Sequence, residues 1–231
     1  TVSFNNDNTF TGVVQLNSGV IQIGTGTTAG SIVANVTNNA LLIFNRSDST
    51  TYGGVISGTG AVRQDGTGTL VFTGANTYSG ITTIVGGTLQ IGNGGTTGSI
   101  LGNVSNSGVL QFNRSDAITY TGVVSGTGSL AQIGAGTLVL TGANVYTGTT
   151  TISAGTLAIG AGGTTGSITS LTVVNNGVLQ FNRSDAALIY GGIISGTGAV
   201  QKLGAGTVTL TGVNTYSGTT TISAGTLQIG N

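Results

Sequence analysis

The side chains that could carry acid–base or charge chemistry are few in this chain, and most of them recur. The five acidic residues are all aspartates and the five basic residues are four arginines and one lysine, while histidine and cysteine do not occur. Carboxylate catalysis requires one clustered arrangement of such groups. Three of the five aspartates instead stand in identical repeated settings. We therefore predict that the chain is not an enzyme and has no catalytic, cofactor-binding or metal-binding residues.

The recurrent charged motif is FNRSD, which begins at residues 44, 112 and 181. Its arginines could form a weak ligand stripe along the surface, suited to an acidic glycan. Alternatively the motif is a structural corner, where Asn makes an Asx-turn and Arg and Asp pair locally. We favour the corner. The arginines are Arg46, Arg114 and Arg183, and the corner residues are Asn45, Asn113, Asn182, Asp48, Asp116 and Asp185.

Tyrosine also recurs, in two sets. One set lies in TG-x-N-x-Y-[ST]-G turns, and the other lies shortly after the FNRSD motif. A stacked surface row of the first set could bind sugars through the ring faces, which would make it the second part of the ligand stripe. Tyrosines more often pack across a corner and bond through the hydroxyl group, and we favour that interpretation. The two sets are Tyr78, Tyr146 and Tyr216, and Tyr52, Tyr120 and Tyr190.

Composition excludes several classes of partner. The formal net charge is zero and only 4% of residues are charged, which removes the cationic surface that nucleic-acid binding needs. No run of about 18 apolar residues exists, so we expect no direct membrane insertion by this segment. A hydrophobic share of 38% argues for a packed core and against disorder. The chain begins inside a repeat, which predicts a segment of a longer protein or a processed product.

Three landmarks, FNRSD, SGTG and the tyrosine turn, fix a repeat of about 68–70 residues. We predict a single β-solenoid over 1–231, with repeats 1–68, 69–136 and 137–206 and a partial repeat 207–231. The third copy has one extra residue near Ser167–Val174 and another near Ala186–Ile189. Single-residue insertions belong in loops, so we expect corners at both places.

Short alternating runs subdivide each copy. In the middle copy they are TLVFTG from Thr69, TLQIG from Thr88, VLQFN from Val109 and SLAQIG from Ser129. Their second and fourth residues are apolar, with Gln132 as the exception. Alternation with period two predicts half-buried strands. A similar strand that returns after about 20 residues is typical of a β-solenoid, in which each turn of the coil is a rung and the strands of neighbouring rungs pair in parallel.

The fourth run begins eight residues before the next copy's TLVL, so we expect these two runs to share a rung. Each repeat would then contain about three rungs, of roughly 27, 21 and 20 residues. With rungs about 4.8 Å apart, the arginines of successive copies would form a row spaced by about 14 Å.

The stretch GAGTLVLTGANVYTGTTTISAGTLAIG from Gly134 resembles the autotransporter-associated β-strand repeat of bacterial type V secreted passengers. The stretch NNGVLQFNRSDAALIYGGIISGTGAVQKLGAGTVTLTG from Asn175 resembles the segment that links such repeats. The likeness covers essentially the whole chain. It implies a right-handed parallel β-helix that is secreted through the outer membrane and displayed on a Gram-negative cell. Roles typical of this family are adhesion, autoaggregation and service as a stalk.

The leading functional prediction is an extracellular β-solenoid rod, stalk or fibre segment of a surface adhesin. The first alternative is a self-assembling filament subunit, whose partners are other copies of itself stacked end to end or laterally. The second alternative is a glycan-binding module for host or bacterial surface glycans that uses the Arg or Tyr residues.

Overall fold

The computed structural model describes residues 1–185 and 188–230, and these residues form strands and turns with no helix among them. The chain divides into two compact units, Thr1–Gln111 and Phe112–Asn231. Both units are built from parallel strands that stack as rungs, which confirms the predicted all-β solenoid. A helix long and apolar enough to cross a membrane does not occur in the described part of the chain.

The first unit contains twelve complete strands, and a thirteenth, β13 (Val109–Phe112), includes the boundary between the units. The twelve are β1 (Val2–Phe4), β2 (Val14–Leu16), β3 (Val20–Thr27), β4 (Val36–Asn38), β5 (Leu41–Arg46), β6 (Thr50–Tyr52), β7 (Ile56–Ser57), β8 (Ala61–Gln64), β9 (Thr69–Phe72), β10 (Thr82–Ile84), β11 (Thr88–Ile91) and β12 (Val104–Asn106). They pair in three parallel series, β1-β3-β5-β8-β10-β12, β2-β4-β7 and β6-β9-β11.

The second unit continues with fourteen strands among its described residues. They are β14 (Ala117–Tyr120), β15 (Val124–Ser125), β16 (Ser129–Gln132), β17 (Thr137–Leu140), β18 (Thr150–Ile152), β19 (Thr156–Ile159), β20 (Thr172–Asn175), β21 (Val178–Phe181), β22 (Leu188–Tyr190), β23 (Ile193–Ser195), β24 (Ala199–Lys202), β25 (Thr207–Leu210), β26 (Thr220–Ile222) and β27 (Thr226–Ile229). Within this unit the series are β14-β17-β19-β21-β24-β26, β16-β18-β20-β23 and β22-β25-β27.

The rungs have nearly equal lengths, as the residues that pair on neighbouring rungs show. Thr69 of β9 pairs with Thr88 of β11, Leu130 of β16 pairs with Thr150 of β18, and Thr150 pairs with Val173 of β20. These partners lie 19, 20 and 23 positions apart, so each rung takes up about 20 residues. The prediction of unequal rungs, of which the first would be much the longest, is therefore wrong. As expected, β16 and β17 are consecutive strands in different series.

A repeat of about 68–70 residues consequently does not contain a whole number of rungs. Three rungs of about 20 residues leave about eight over, which is enough to carry the chain onto the next face. In the second unit, β17 and its counterpart β25 in the next copy belong to different series. The first unit shows the same shift between β1 and β9. In each unit, the later of the two copies therefore begins on a different face of the solenoid.

The core consists of apolar side chains that stack from rung to rung. In the second unit Tyr120, Leu140, Ile159 and Phe181 occupy one inward column, and each is at most 3% exposed. Full burial of such a side chain contributes about 1.5–3 kcal/mol. In the first unit the rings of Phe44, Tyr52 and Phe72 meet with centroids 5.4–6.0 Å apart. The alternation seen in the sequence therefore marks the inward face correctly.

Glycine supports a recurrent sharp turn between strands. In the SGTG motif of the first copy, Gly58 has a φ of 97°. This left-handed conformation is disfavoured for residues with a Cβ atom, so the turn depends on glycine. The same glycine of the two later copies has nearly the same φ.

The extra residue predicted near Ser167–Val174 lies in a loop. Ser167 forms an isolated bridge and β20 begins at Thr172, with no strand between them. The rung that contains this loop runs from Thr150 to its partner Val173. It is one position longer than the rung of the preceding copy, which runs from Thr82 to its partner Val104. The second predicted insertion, near Ala186–Ile189, falls on residues 186 and 187, outside the described residues.

Candidate ligand site: the Arg–Asp corners

Each FNRSD motif forms a two-pronged ion pair within itself. Arg46 Nε donates to Asp48 Oδ1 at 2.9 Å, and its Nη2 donates to Oδ2 at 2.8 Å. Arg114 and Asp116 repeat this at 2.8 and 2.6 Å, and Arg183 makes the same two bonds to Asp185. Parallel N–H bonds of this kind are strong and directional. The side-chain bonds and charge of Arg46 hold the pKa of Asp48 below its usual value.

The remaining guanidinium donors bind main-chain carbonyls of a glycine-rich loop on the preceding rung. In the first unit this loop is 24–30, where Arg46 Nη1 donates to Gly30 O at 2.8 Å and Nη2 donates to Thr28 O. In the second unit it is 160–166, where Arg183 donates to Gly166 O and, at 2.6 Å, to Thr164 O. The arginine thus fastens this glycine-rich stretch, which in the first unit includes the end of β3, to its own rung.

These contacts leave little of the arginines exposed. The side chains of Arg46, Arg114 and Arg183 are 10%, 13% and 12% accessible. Arginine has five N–H donors in a fixed fork, and the protein itself occupies most of them at Arg46. A ligand at this position would have to displace an internal contact.

The prediction that the arginines form a straight row is wrong for Arg114 and Arg183, which both lie in the second unit. Above Arg114 the backbone stacks through Gly134 and then Gly155, whereas Arg183 lies between Gly160 and Gly204 in a different stack. The physical reason is the excess of about eight residues per copy, which moves each motif to another face. A ligand that spans successive corners would therefore meet them on different sides.

The asparagines of the motif do not make the expected Asx-turns. Asn45 lies within β5, whereas Asn113 and Asn182 follow directly after β13 and β21. Within the described residues, none of the three has a side-chain hydrogen bond to its own turn. Asn182 contributes through its main chain, where its carbonyl accepts the Gly162 N–H at 2.8 Å. Asp48, Asp116 and Asp185 each lie in a bend and pair with the arginine two residues earlier.

The lowered pKa of Asp48 predicts a loss of stability in acid. A carboxyl whose pKa is lower in the folded state stabilises the fold above its unfolded pKa, near 3.8, and this contribution disappears as pH falls through the folded pKa. Asp48→Asn should therefore make the urea midpoint fall less steeply below that pH than it does in the wild type. Urea unfolding of both proteins across this range tests the expectation. Equal acid dependence of the two midpoints would contradict it.

The tyrosines of the turn motif lie mostly inside the fold. Tyr78 and Tyr146 are 0% exposed, and their hydroxyls share hydrogen bonds with Thr82 and Thr150 at 2.6 and 2.7 Å. Tyr216 is half-buried and makes the same bond to Thr220 at 2.8 Å. The buried rings could stack on a surface sugar only by leaving their places.

The second tyrosine set fastens one rung to another. Tyr52 donates to Ala34 O at 2.6 Å, and Tyr190 donates to Ser170 O at 2.8 Å. Each is 3% exposed, as is Tyr120. Burial raises the pKa of Tyr190 to about 12.

The asparagine of the tyrosine turn has a role that sequence reasoning missed. The side-chain oxygens of Asn76, Asn144 and Asn214 each accept a main-chain N–H from the residue 20 positions earlier, at 2.8–2.9 Å. Their amide groups donate to the carbonyl two residues earlier. Each asparagine thus satisfies backbone groups on two neighbouring rungs. Its invariable place in TG-x-N-x-Y was the available signal.

Position 132, the exception to the alternation, also points inward. Gln64 and Gln132 are 2% exposed, and Lys202 stands at the same repeat position with 0% exposure. Gln132 Nε2 donates to Gly134 O at 2.9 Å and to Gly136 O at 3.1 Å. Lys202 Nζ likewise donates to Gly204 O and, at 3.4 Å, to Ala224 O. An amine therefore replaces an amide inside the second unit.

We expect Lys202→Gln to stabilise the chain by about 1 kcal/mol at neutral pH, because it replaces a buried charge with the amide that serves at Gln132. Burial lowers the pKa of Lys202, and the negative charge of Asp185 partly offsets this decrease. A base with a lowered folded pKa regains stability as pH rises toward its unfolded value of 10.5. The advantage of the variant should therefore shrink at alkaline pH.

The reciprocal variant Gln132→Lys is the matched control, and it should destabilise the same unit. Urea unfolding of the three proteins at neutral and alkaline pH gives the comparison. An Lys202→Gln variant that is less stable than the wild type at neutral pH would overturn the interpretation.

A surface depression and the distribution of possible metal ligands bear on whether the chain has a further site for a ligand or a metal ion. A shallow depression of about 260 Å³ in the second unit is lined by Ile168–Leu171 and Ile189–Gly192, none of which is charged. The hydroxyl of Tyr190 at its edge is already bonded to Ser170. Among the described residues, no three His, Cys, Asp or Glu side chains lie close enough to share a metal ion.

The chain matches a known family of sequence repeats. The model of the passenger-associated-transport-repeat matches residues 1–23, 62–91, 130–159 and 200–229. Four stretches of the chain resemble this repeat. This confirms the family resemblance of the sequence. In the second unit the matches run from within β16 to the end of β19 and from within β24 to the end of β27, and the corner of Arg183 lies between them.

The chain is also similar to a curated adhesin. It is 38% identical over 230 residues to the "Adhesin BmaC autotransporter" of Brucella suis biovar 1 (strain 1330). The alignment takes in 90% of this chain and 6% of the adhesin, so the chain spans a small part of the relative's length. No solved structure matches the chain.

Proposed function

We propose that the chain is an extracellular spacer segment of a bacterial surface adhesin passenger. It would hold other parts of the passenger away from the cell and carry no catalytic activity. The transport repeats and the similarity to an autotransporter adhesin support this assignment. They also support secretion through the outer membrane and display at the cell surface.

The observation that carries the proposal is the internal use of the polar side chains. The corner arginines bind aspartate and loop carbonyls, and the turn asparagines bind the backbone of neighbouring rungs. Both kinds of residue therefore stabilise the stacking of rungs. A solenoid whose stability is spread over contacts between neighbouring rungs tolerates changes in the number of repeats, as a spacer requires.

Deletion of residues 69–136 from the full-length passenger displayed on cells tests the spacer. We expect normal export, a retained β-rich fold and retained adhesion, with a shorter distance between the cell and an epitope placed beyond the deletion. A deletion of residues 69–102 is the control, because it joins unlike points of the repeat and should unfold the junction. Lost adhesion with normal export in the first deletion would show that this segment itself binds.

Two interpretations from the sequence stay predictions. Binding to surface glycans predicts a glycan-array response that Arg114→Ala weakens. Self-assembly predicts that copies of the chain associate at high concentration, which sedimentation measures. Both propose partners that a spacer does not need.

A further inference from the structure

Asparagine followed by glycine is a chemically reactive pair, and the chain has two of them, Asn93-Gly94 and Asn176-Gly177. The glycine N–H nitrogen can attack the asparagine side-chain carbonyl, because glycine has no Cβ atom to hinder the approach. The reaction requires a backbone free to change conformation and a side chain free to rotate. The two pairs differ in both respects.

Asn93 lies in an exposed part of its glycine-rich loop. Residues 93–97 are all exposed, and Gly94 adopts a left-handed φ of 83°. A side chain added at the next residue, Gly95, would meet no atom within 4 Å. Within 1–185 and 188–230, neither the Asn93 side chain nor the Gly94 N–H has a hydrogen-bond partner.

Asn176 is held on several sides. Its side-chain oxygen accepts bonds from Thr197 N at 3.1 Å and Thr197 Oγ1 at 3.3 Å. Its own N–H donates to Ile152 O at 2.8 Å. The following Gly177 is stacked so closely on Gly155 that a Cβ atom would lie 2.6 Å from the carbonyl oxygen. The rung must open before this pair can react.

We propose that Asn93 is a site of spontaneous deamidation. The Gly94 nitrogen forms a bond to Asn93 Cγ and loses its proton, the Cγ–N bond of the amide breaks, and ammonia leaves. Water then opens the resulting five-membered imide at either carbonyl, which yields aspartate or isoaspartate. The formal net charge of the chain passes from zero to −1, on a sequence with only 4% charged residues.

Among the loops of the three complete copies, this Asn-Gly pair occurs in the second. The matching loop of the third copy has Ala161-Gly162, and that of the first has Thr25-Gly26. Gly162 also donates its N–H to Asn182 O at 2.8 Å. Alanine is thus an accepted residue at the position of Asn93, which makes Asn93→Ala a conservative control for folding.

The test is incubation of the folded chain in mildly alkaline buffer, followed by peptide mass spectrometry that locates each amide-to-carboxyl conversion and identifies isoaspartate. We expect conversion at Asn93 to exceed that at Asn176 by about tenfold or more, because a hydrogen-bonded turn must first open at Asn176. Unfolding the chain in urea should bring the two rates together, since both become ordinary Asn-Gly pairs.

Equal conversion at the two sites in the folded chain, or none at Asn93, would overturn the proposal. Asn93→Ala should abolish the acidic species that native gels resolve on ageing, and Asn93→Asp should migrate with that species from the start. An acidic species that persists in Asn93→Ala at the wild-type rate would assign the modification to another residue.

Discussion

Replacing Arg46 with methionine should destabilise the first unit by about 2–3 kcal/mol, because it leaves Asp48 and two loop carbonyls without their donor. The arginine side chain is 10% accessible, so water replaces few of these contacts. Methionine retains most of the apolar length of the side chain. Urea unfolding monitored by circular dichroism measures the loss, and hydrogen exchange should show loop 24–30 opening first.

Arg63→Met is the matched control in the same unit. Arg63 pairs with Asp65 in a similar two-pronged arrangement, but its side chain is 41% accessible. Exposed pairs of this kind contribute about 0.5 kcal/mol. If both variants lost the same small amount, Arg46 would be a surface ion pair and its guanidinium would again be available to a ligand.

Gly68→Ala should be at least as damaging, with an expected loss of about 3 kcal/mol or more. A Cβ atom at this position would lie 1.9 Å from the carbonyl oxygen of Asp48, on the rung beneath. The neighbouring atoms are all backbone, so no side chain can move aside to make room. The two rungs would have to separate at the corner, and the hydrogen bonds Gly68 N to Arg46 O and Thr69 N to Asp48 O would lengthen or break.

Gly95→Ala supplies the comparison, because a Cβ atom there meets nothing within 4 Å. Its stability should stay within about 0.5 kcal/mol of the wild type. Thermal and urea unfolding of both alanine variants would distinguish crowding from a general effect of losing glycine. Equal midpoints for the two would contradict the close stacking of the corner.

The strands could be predicted from the sequence because a strand is recognised by the alternation of apolar and polar residues within about four positions. Leu70 and Phe72 point inward as the pattern required, and they are 1% and 0% exposed. The interval of eight residues between Ser129 and Thr137 was also interpreted correctly as two strands of one rung. Sequence reasoning missed that successive copies begin on different faces of the solenoid. This shift depends on rung length, and rung length depends on how many residues the turns between strands contain. Motif spacing does not report that number.

The main-chain carbonyls that accept hydrogen bonds from the corner arginines could not be predicted from the sequence, because they lie on another rung. Arg46 binds Gly30 O, which lies 16 residues earlier and is a main-chain atom without a residue-specific signature. The pairing with Asp48, two residues away, is local and was anticipated. The inward lysine could have been suspected, because Lys202 occupies the same repeat position as Gln132, where alternation already required a buried side chain.

The repeat length is not a whole number of rungs, so the number of copies determines the direction in which the next part of the passenger faces as well as its distance along the solenoid. Recombination that adds or removes one copy would preserve every local contact, since equivalent points are joined. It would also turn whatever the passenger carries further along toward another face, as it does between β17 and β25 in the second unit. Strains that differ by one copy would then present the same distal surface in different directions.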